Sequence, residues 1–118
     1  MTQQNDMLTW LDNAIGRTYG NFINGEWVES RKGKTYPVYN PAKKDQVIGY
    51  FQDSTEEDVD LAVKAAHQAF KKWSRTPGPE RGAILLRFAD LLEKHQDELA
   101  FMLSAEQGKT LAESRGEV

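Results

Sequence analysis

Residues 21–28 read NFINGEWV, and this stretch decides the architecture of the first half of the chain. Asn24-Gly25 is the preferred centre of a type I′ turn, because both residue types tolerate positive φ angles. An aromatic and an aliphatic side chain flank the turn on each side. The pattern therefore predicts a β-hairpin over these residues.

The β region is expected to extend over residues 20–53. A turn rich in charge and glycine at residues 30–34 precedes a predicted strand at residues 35–39. Pro41 ends that strand, because proline cannot donate to a ladder. Residues 47–51 are predicted to form one more short strand. Residues 1–19 are interpreted as an N-terminal extension, in which residues 6–15 could form a short helix.

From residue 54 the hydrophobic period changes from 2 to 3.6, which indicates helices. The first helix is predicted to start with a capping box, in which Ser54 is the N-cap and Glu57 is the N3 residue. A second helix is predicted from about Glu80. Both helices are predicted to bury one apolar stripe. The stripe residues are Val59, Ala62, Val63, Ala66, Ala69, Phe70 and Trp73 in the first helix, and Ile84, Leu85, Phe88, Leu91 and Leu92 in the second.

A third helix is predicted over residues 97–107, with Gly108 as its C′ residue. Thr110 and Glu113 form a second capping box, which starts a fourth helix. About two turns remain before Val118, which is short for a helix with so good a start, so we expect truncation. The third helix is predicted to turn Leu99, Met102 and Leu103 inward.

Length and composition exclude several classes of protein. The 118 residues allow at most one small domain. The net charge of -3 argues against a nucleic-acid partner, which would require clustered positive charge. The absence of cysteine removes disulfides, thiolate metal sites and thiol catalysis. The first residues match neither a signal peptide nor a transmembrane helix, so we expect a cytoplasmic protein with no membrane partner.

Motifs that suggest chemistry have simpler structural interpretations. Gly108-Lys109-Thr110 resembles the end of a phosphate-binding loop, but position 103 lacks the required glycine and a helical stripe precedes the motif where a strand is needed. His67 and His95 lie at no spacing typical of a triad or a metal site. We interpret both as solvated surface residues.

The charge runs and the tryptophans also favour structural roles. The acidic residues of 56–60 fall in the first turns of a helix, where negative charge opposes the positive end of the dipole. The basic runs at residues 31–34, 43–44 and 71–72 indicate solvated turns and a polar helix face. Trp27 and Trp73 are interpreted as core or subunit-contact residues.

Several short motifs follow one another along the chain: residues 22–27, 38–41, Ala65-Ala66, Ala69-Phe70, Trp73, Arg81, Leu91-Leu92 and Glu106-x-Gly108-Lys109. In this order and spacing, they resemble the opening segment of the aldehyde dehydrogenase superfamily, over residues 20–118. The resemblance implies an α/β parent, in which this segment is a β-hairpin and short strands followed by three to four packed helices. The tail at residues 112–118 is similar to that of bacterial semialdehyde dehydrogenases.

The resemblance implies a parent enzyme that oxidises an aldehyde or semialdehyde to a carboxylic acid with NAD or NADP. Its nucleophile is a cysteine, and this chain has none. The resemblance therefore assigns no catalytic and no cofactor-binding residue here, and no cofactor is expected to bind the chain alone. The implied partners are the remainder of the parent polypeptide and, for the full-length enzyme, further copies in a homo-oligomer. The rival interpretation is a free-standing interaction or regulatory module with the same scaffold.

The resemblance also implies a monovalent cation site. Its ligands would be the main-chain carbonyls of Val38 and Tyr39 and the side chain of Glu106, and oxygen ligands suit a hard cation. Here a glutamate replaces the aspartate expected of the family, which lengthens the reach. The simpler alternative is a solvated or helix-terminal carboxylate at Glu106.

Overall fold

A computed structural model describes residues 13–118 of the chain, which form short strands followed by helices. The helix predicted over residues 6–15 lies largely outside the described residues. The strands are β1 (Arg17–Tyr19), β2 (Asn21–Ile23), β3 (Glu26–Val28), β4 (Thr35–Asn40) and β5 (Lys43–Gln52). The helices are α1 (Glu56–Trp73), α2 (Gly78–Lys94), α3 (Gln96–Gln107) and α4 (Leu111–Glu117).

The predicted hairpin is confirmed. Strands β2 and β3 are antiparallel, with Phe22 opposite Trp27 and Ile23 opposite Glu26. Asn24 and Gly25 have φ angles of 53° and 82°, the two positive values that a type I′ turn requires. The rings of Phe22 and Trp27 pack against each other with centroids 5.1 Å apart.

The larger sheet has the strand order β1-β5-β4 within the described residues, with β5 parallel to β1 and antiparallel to β4. The prediction of a short strand at residues 47–51 is wrong in length, because β5 starts at Lys43, directly after the turn that follows β4. The pairing of Lys43 with Asn40 of β4 holds the charged start of β5 in the ladder. β1 was not predicted. Pro37 lies on β4, an edge strand, where a missing backbone donor is tolerated.

Two predicted helix starts need small corrections. α2 begins at Gly78 rather than Glu80, since Pro79 is tolerated in the first turn, where the amide groups have no intrahelical acceptor. α3 begins at Gln96. The predicted stop at Gly108 is confirmed by a φ angle of 74°, and the capping box of Thr110 before α4 is confirmed as well.

The predicted burial of the helical stripes is wrong for this chain. Val63 is 61% exposed, Phe70 59% and Leu85 59%. The third helix is partly covered, with Leu99 37% exposed and its two other predicted inward residues intermediate. Among residues 13–118, the buried apolar side chains are Ile48, Ala100 and Ala105. The physical reason is that the hairpin packs against only a small part of α1, while α2 packs against a small part of α3.

The open shape of the molecule agrees with this exposure. The accessible surface is 9209 Å², whereas a compact protein of this mass exposes roughly 6,500 Å². The radius of gyration is 17.4 Å, against about 13 Å for a compact domain of about 100 residues. Within the described range, no helix combines the length and apolar character needed to cross a bilayer.

Candidate functional site

Buried polar side chains gather where the sheet meets the start of α1. Ser30 follows β3, Gln52 ends β5 and Asp58 lies in the first turn of α1, and each is less than a tenth exposed. Together with Arg31 and Thr55, we call these residues the Asp58 cluster. It joins three parts of the chain that are distant in sequence.

The carboxylate of Asp58 accepts hydrogen bonds from both sides of this junction. Its Oδ2 accepts from the Ser30 hydroxyl at 2.8 Å and from the Thr55 amide at 2.7 Å. Its Oδ1 accepts from the Arg31 amide at 3.0 Å. Buried carboxylates are costly unless their oxygens have donors, and here both oxygens do.

These donors hold the carboxylate in its ionised form. The pKa of Asp58 lies well below its ordinary value of 3.8, chiefly because the Thr55 amide donates to the charged form. Burial raises the pKa and opposes this effect, while the Ser30 hydroxyl and the Arg31 amide lower it further. The net direction indicates that hydrogen bonds outweigh desolvation.

The capping prediction for α1 is wrong by one residue. The N-cap is Thr55, and its partner at N3 is Asp58, not Ser54 with Glu57. The Ser54 hydroxyl instead accepts from the Asn21 side chain at 2.8 Å, which ties the hairpin to the start of α1. Asp58 takes the N3 position because Ser30 and Arg31 also donate to its carboxylate there.

Gln52 extends the cluster to the sheet. Its Oε1 accepts from the Ser30 amide at 2.8 Å, and its Nε2 donates to the Tyr19 carbonyl at 2.9 Å. One buried amide side chain therefore connects β1, β5 and the turn after β3. The Asp58 carboxylate accepts from the Ser30 hydroxyl, but its lowered pKa makes it a poor general base, so the chemistry of the cluster is that of a structural junction.

The acidic run has the predicted structural role. The first turn of α1 contains Glu56, Glu57 and Asp58. Their negative charges interact favourably with the positive end of the helix dipole. Asp60 pairs with Lys64 at 3.1 Å on the exposed face. In residues 13–118, no three histidine, cysteine, aspartate or glutamate side chains are grouped as a metal site would need.

The three residues of the predicted cation site lie on two elements that contact each other. Val38 and Tyr39 are on β4, and Glu106 is exposed in the last turn of α3. α3 packs against β4, and a Cβ on Gly108 would lie 2.9 Å from the Cγ of Pro41. The register between β4 and β5 shifts on both sides of Tyr39. Such irregularities release backbone groups from the ladder.

The remaining candidate residues have structural partners or lie in solvent. Lys109 Nζ donates to the Glu117 carboxylate at 2.6 Å and 2.7 Å, across the length of α4. His95 lies between α2 and α3, with its Nδ1 2.8 Å from a Glu98 oxygen. His67 is exposed. Gly108-Lys109 therefore forms a helix stop and an ion pair, and the predicted helix stop is confirmed.

Comparison with known proteins decides the family. The profile described as "Aldehyde dehydrogenase family" matches residues 27–118, most of the chain. The chain belongs to the aldehyde dehydrogenase family. It corresponds to the N-terminal segment of that superfamily.

Curated family members give the same assignment over a limited length. The alpha-ketoglutaric semialdehyde dehydrogenase of Bacillus subtilis (strain 168) is 48% identical over 100 residues, which is 85% of this chain and 20% of that enzyme. The chain therefore spans about a fifth of the length of this relative. The matched relatives are named as dehydrogenases, which favours the dehydrogenase interpretation over the free-standing module.

Solved structures of family members match the fold. The HpcC protein of Thermus thermophilus has a TM-score of 0.89 at 41% identity, covering 95% of this chain and 22% of that protein. A putative methylmalonate-semialdehyde dehydrogenase of Sinorhizobium meliloti 1021, complexed with NAD, has a TM-score of 0.77 at 34% identity, covering 86% and 20%. The predicted α/β parent is confirmed.

Sequence patterns did not reveal the Asp58 cluster. Asp58 was interpreted as one of several acidic residues that oppose a helix dipole, and neither Ser30 nor Gln52 was singled out. A usable signal was present, because Thr55 and Asp58 have the same spacing as Ser54 and Glu57. Only the folded chain places Ser30 and Arg31 beside Asp58, the N3 residue of the box that starts with Thr55.

Proposed function

We propose that this chain is the N-terminal scaffold of an enzyme that oxidises an aldehyde, in particular a semialdehyde, to a carboxylic acid with NAD+ or NADP+. The observation that supports the proposal is the family match over residues 27–118, in a chain that spans about a fifth of its relatives. The semialdehyde is proposed because curated relatives are named for such substrates. The scaffold itself supplies no catalytic residue.

The cofactor would bind outside this chain. The connection from β5 to α1, at residues 53–55, has no glycine-rich loop, and a buried carboxylate lies just behind it. This arrangement does not fit a dinucleotide pyrophosphate, which requires glycines for the close approach of its oxygens to the backbone. We therefore assign NAD(P) to the part of the relatives that this chain does not cover.

The proposed partners are the rest of the longer polypeptide and further copies of the complete enzyme. Residues 20–118 would form the first part of an aldehyde dehydrogenase domain, preceded by an extension at residues 1–19, and the rest of the longer polypeptide would cover α1 and α2. The complete enzyme would be a homo-oligomer. We place it in the cytoplasm, because the reaction consumes a nicotinamide cofactor that cells keep inside.

An activity assay of the isolated chain tests the first part of this proposal. The purified 118-residue polypeptide should form no NAD(P)H from an aldehyde above a control without protein, since it lacks the cysteine that would form the acyl-enzyme. Aldehyde-dependent NAD(P)H formation by this polypeptide alone would contradict the scaffold role.

A graft tests the second part. In the Bacillus subtilis relative, the matching segment is replaced by this chain, and oxidation of the semialdehyde is measured. We expect activity within about a hundredfold of the unmodified relative, because the proposed scaffold supplies no reacting group and can affect the reaction only through positioning. The same relative with the segment deleted is the control and should be inactive. A folded but inactive graft would contradict the proposal.

We further propose that Val38, Tyr39 and Glu106 form a monovalent cation site in the complete enzyme. The contact between α3 and β4 and the irregular register at Tyr39 support the proposal. In the structure Glu106 is exposed, so a longer side chain than aspartate would have room to turn towards β4. The cation would then join the end of α3 to the edge of the sheet.

The cation site predicts a specific ion effect. The thermal midpoint of the active graft should be higher in K+ or Na+ than in a bulky cation at matched ionic strength. Glu106→Gln should abolish the difference and leave activity in the bulky cation unchanged. Glu93→Gln, a substitution on exposed α2, serves as the control and should preserve the difference. Equal midpoints in all cations for the unsubstituted graft would contradict the site.

A further inference from the structure

The tip of the hairpin presents an asparagine followed directly by a glycine. Asn24 and Gly25 are the two central residues of the turn, and both are exposed. Neither the Asn24 side chain nor the Gly25 amide has a hydrogen-bond partner within residues 13–118. The two-residue turn closes instead through the neighbouring pair Ile23–Glu26. The side-chain amide and the backbone amide that follows it are therefore both available to react.

The surroundings of the turn leave room for these two groups to meet. Asn24 borders an open cavity of about 540 Å³ between the hairpin and α1. A Cβ built at Gly25 would have no neighbouring atom within 4 Å, so nothing crowds the Gly25 nitrogen. Glycine also adopts positive and negative φ angles about equally well, so the turn can rearrange at this residue with little steric resistance.

We infer that Asn24 is a site of spontaneous modification, at which the side-chain amide becomes an acid through a succinimide ring. The Gly25 nitrogen attacks Cγ of Asn24, the Cγ–Nδ2 bond breaks, and ammonia leaves with the proton that the Gly25 nitrogen loses. Water then adds to one of the two ring carbonyls and opens the ring to an aspartyl or an isoaspartyl residue. The net change is amide plus water to carboxylic acid plus ammonia, and no oxidant or reductant takes part.

Two further asparagines of the β region lack these features and serve as internal references. The Asn21 side chain donates to the Ser54 hydroxyl at 2.8 Å, and the residue that follows it is a phenylalanine rather than a glycine. The Asn40 side chain is held by hydrogen bonds through both its nitrogen and its oxygen. Pro41 follows Asn40 and has no amide proton to lose. Of these three residues, Asn24 is the one that the structure leaves open to ring closure.

The isoaspartyl product would disturb the hairpin, because its backbone is one atom longer. A type I′ turn holds β2 and β3 in register with two central residues of ordinary length. A longer turn would weaken the packing of the Phe22 and Trp27 rings, whose centroids are 5.1 Å apart. It would also strain the hydrogen bond from Asn21 to Ser54, which ties the hairpin to the start of α1. The aspartyl product keeps the turn, since Asp-Gly suits the same geometry.

Ageing in mildly alkaline buffer, followed by peptide mapping with mass spectrometry, tests the modification in the 118-residue chain and in the graft. Position 24 should gain acid in both, while Asn21 and Asn40 keep their amides. In the folded graft, position 24 should react at no less than about a tenth of its rate in the same graft unfolded by denaturant, because loop tips open at little cost in free energy. A slower reaction in the folded graft would show that the complete enzyme protects the turn and would overturn the inference. Equal rates at Asn24 and Asn21 would also overturn it.

Two variants of the graft test the effect of the modification on the hairpin. Asn24→Gly is the matched control, because Gly-Gly also suits a type I′ turn and has no side-chain amide. On ageing, the thermal midpoint of the unsubstituted graft should fall by about 1 °C or more, in step with the isoaspartyl content, whereas the midpoint of Asn24→Gly should stay constant. Fresh Asn24→Asp should melt like the fresh unsubstituted graft, which assigns the loss to the isoaspartyl form. An equal fall in aged Asn24→Gly would show that the modification does not loosen the hairpin.

Discussion

At the residue scale, Asp58 shows how one carboxylate can determine the junction of several elements. Its ionised form accepts from Ser30, Arg31 and Thr55, which lie on two sides of the junction between the sheet and α1. A protonated or amide side chain presents a donor where only acceptors are needed. The junction should therefore depend on the negative charge itself.

The pH dependence of Asp58 follows from the direction of its pKa shift. Because the pKa is lower in the folded chain than its ordinary value of 3.8, the carboxylate contributes its full stability above about pH 5 and loses it as the pH falls through the folded-state pKa. Asp58→Asn should lower the thermal midpoint of the active graft at about pH 6, and the difference from the unsubstituted graft should shrink towards about pH 3.

Asp60→Asn is the matched control for this prediction. Asp60 lies on the same helix and pairs with Lys64 at 3.1 Å, but both side chains are largely exposed. An exposed pair of this kind contributes little, so its loss should shift the midpoint hardly at all. If Asp58→Asn and Asp60→Asn have the same effect at both pH values, the carboxylate of Asp58 does not hold the junction.

The sequence contains two overlapping capping boxes before α1, and local chemistry favours the one that does not form. Ser54 and Glu57 match the motif with glutamate at N3, whereas Thr55 and Asp58 match only its wider form with aspartate there. The choice depends on donors from residues about 27 positions earlier, Ser30 and Arg31. Where no such distant partner competes, as at Thr110, the local pattern predicted the cap correctly.

At the element scale, Gly108 joins the end of α3 to the turn between β4 and β5. Its φ angle is 74°, and a Cβ there would lie 2.9 Å from the Cγ of Pro41. Gly33 also has a positive φ angle, 60°, but a Cβ there would meet nothing within 4 Å. A substitution at Gly33 therefore tests the backbone conformation alone, whereas a substitution at Gly108 tests the backbone conformation and the contact with Pro41 together.

The substitutions Gly33→Ala and Gly108→Ala should differ in size. Gly33→Ala should lower the free energy of unfolding by roughly 1–2 kcal/mol, the cost of a left-handed conformation with a Cβ. Gly108→Ala should lower it by roughly 2–4 kcal/mol, because a steric clash with the proline ring adds to the same cost. Chemical denaturation of the active graft measures both values. Equal losses would show that the contact with Pro41 is unimportant.

The strand lengths show a second limit of sequence patterns. Residues 43–45 are two lysines and an aspartate, which resemble a solvated turn, yet they continue β5. Neighbouring β4 supplies the backbone partners, and the pairing of Asn40 with Lys43 closes the connection tightly. β1 was missed for a similar reason, since its three residues are held by parallel pairing with β5, a contact distant in sequence.

At the scale of the whole molecule, the apolar residues that specified the helices remain uncovered. The 3.6-residue period predicted the helices correctly, but it could not indicate what would cover them. The two sheets of the described chain are small, and they leave α1 and α2 open to solvent over most of their apolar stripes. The candidate cation site was proposed from the resemblance, because carbonyl ligands leave no side-chain pattern.

Exposed stripes of this size should make the isolated chain associate. We expect oligomers or aggregates by light scattering, binding of a hydrophobic dye and a shallow thermal transition. Phe88→Glu should reduce association, because Phe88 lies on the stripe and is 57% exposed. Leu86→Glu is the control, since Leu86 is also exposed but lies on the opposite face of α2. A monomer with a sharp cooperative melt would contradict the prediction.

Amide hydrogen exchange along α1 and α2 tests most directly whether this chain is a scaffold that other parts of an aldehyde dehydrogenase complete. The same amides are compared in the isolated chain and in the active graft. We expect fast exchange in the isolated chain and protection by at least about a hundredfold in the graft, because covered helices open only through larger unfolding events. Equal, strong protection in both would show that the 118 residues form a complete domain and would contradict the scaffold role.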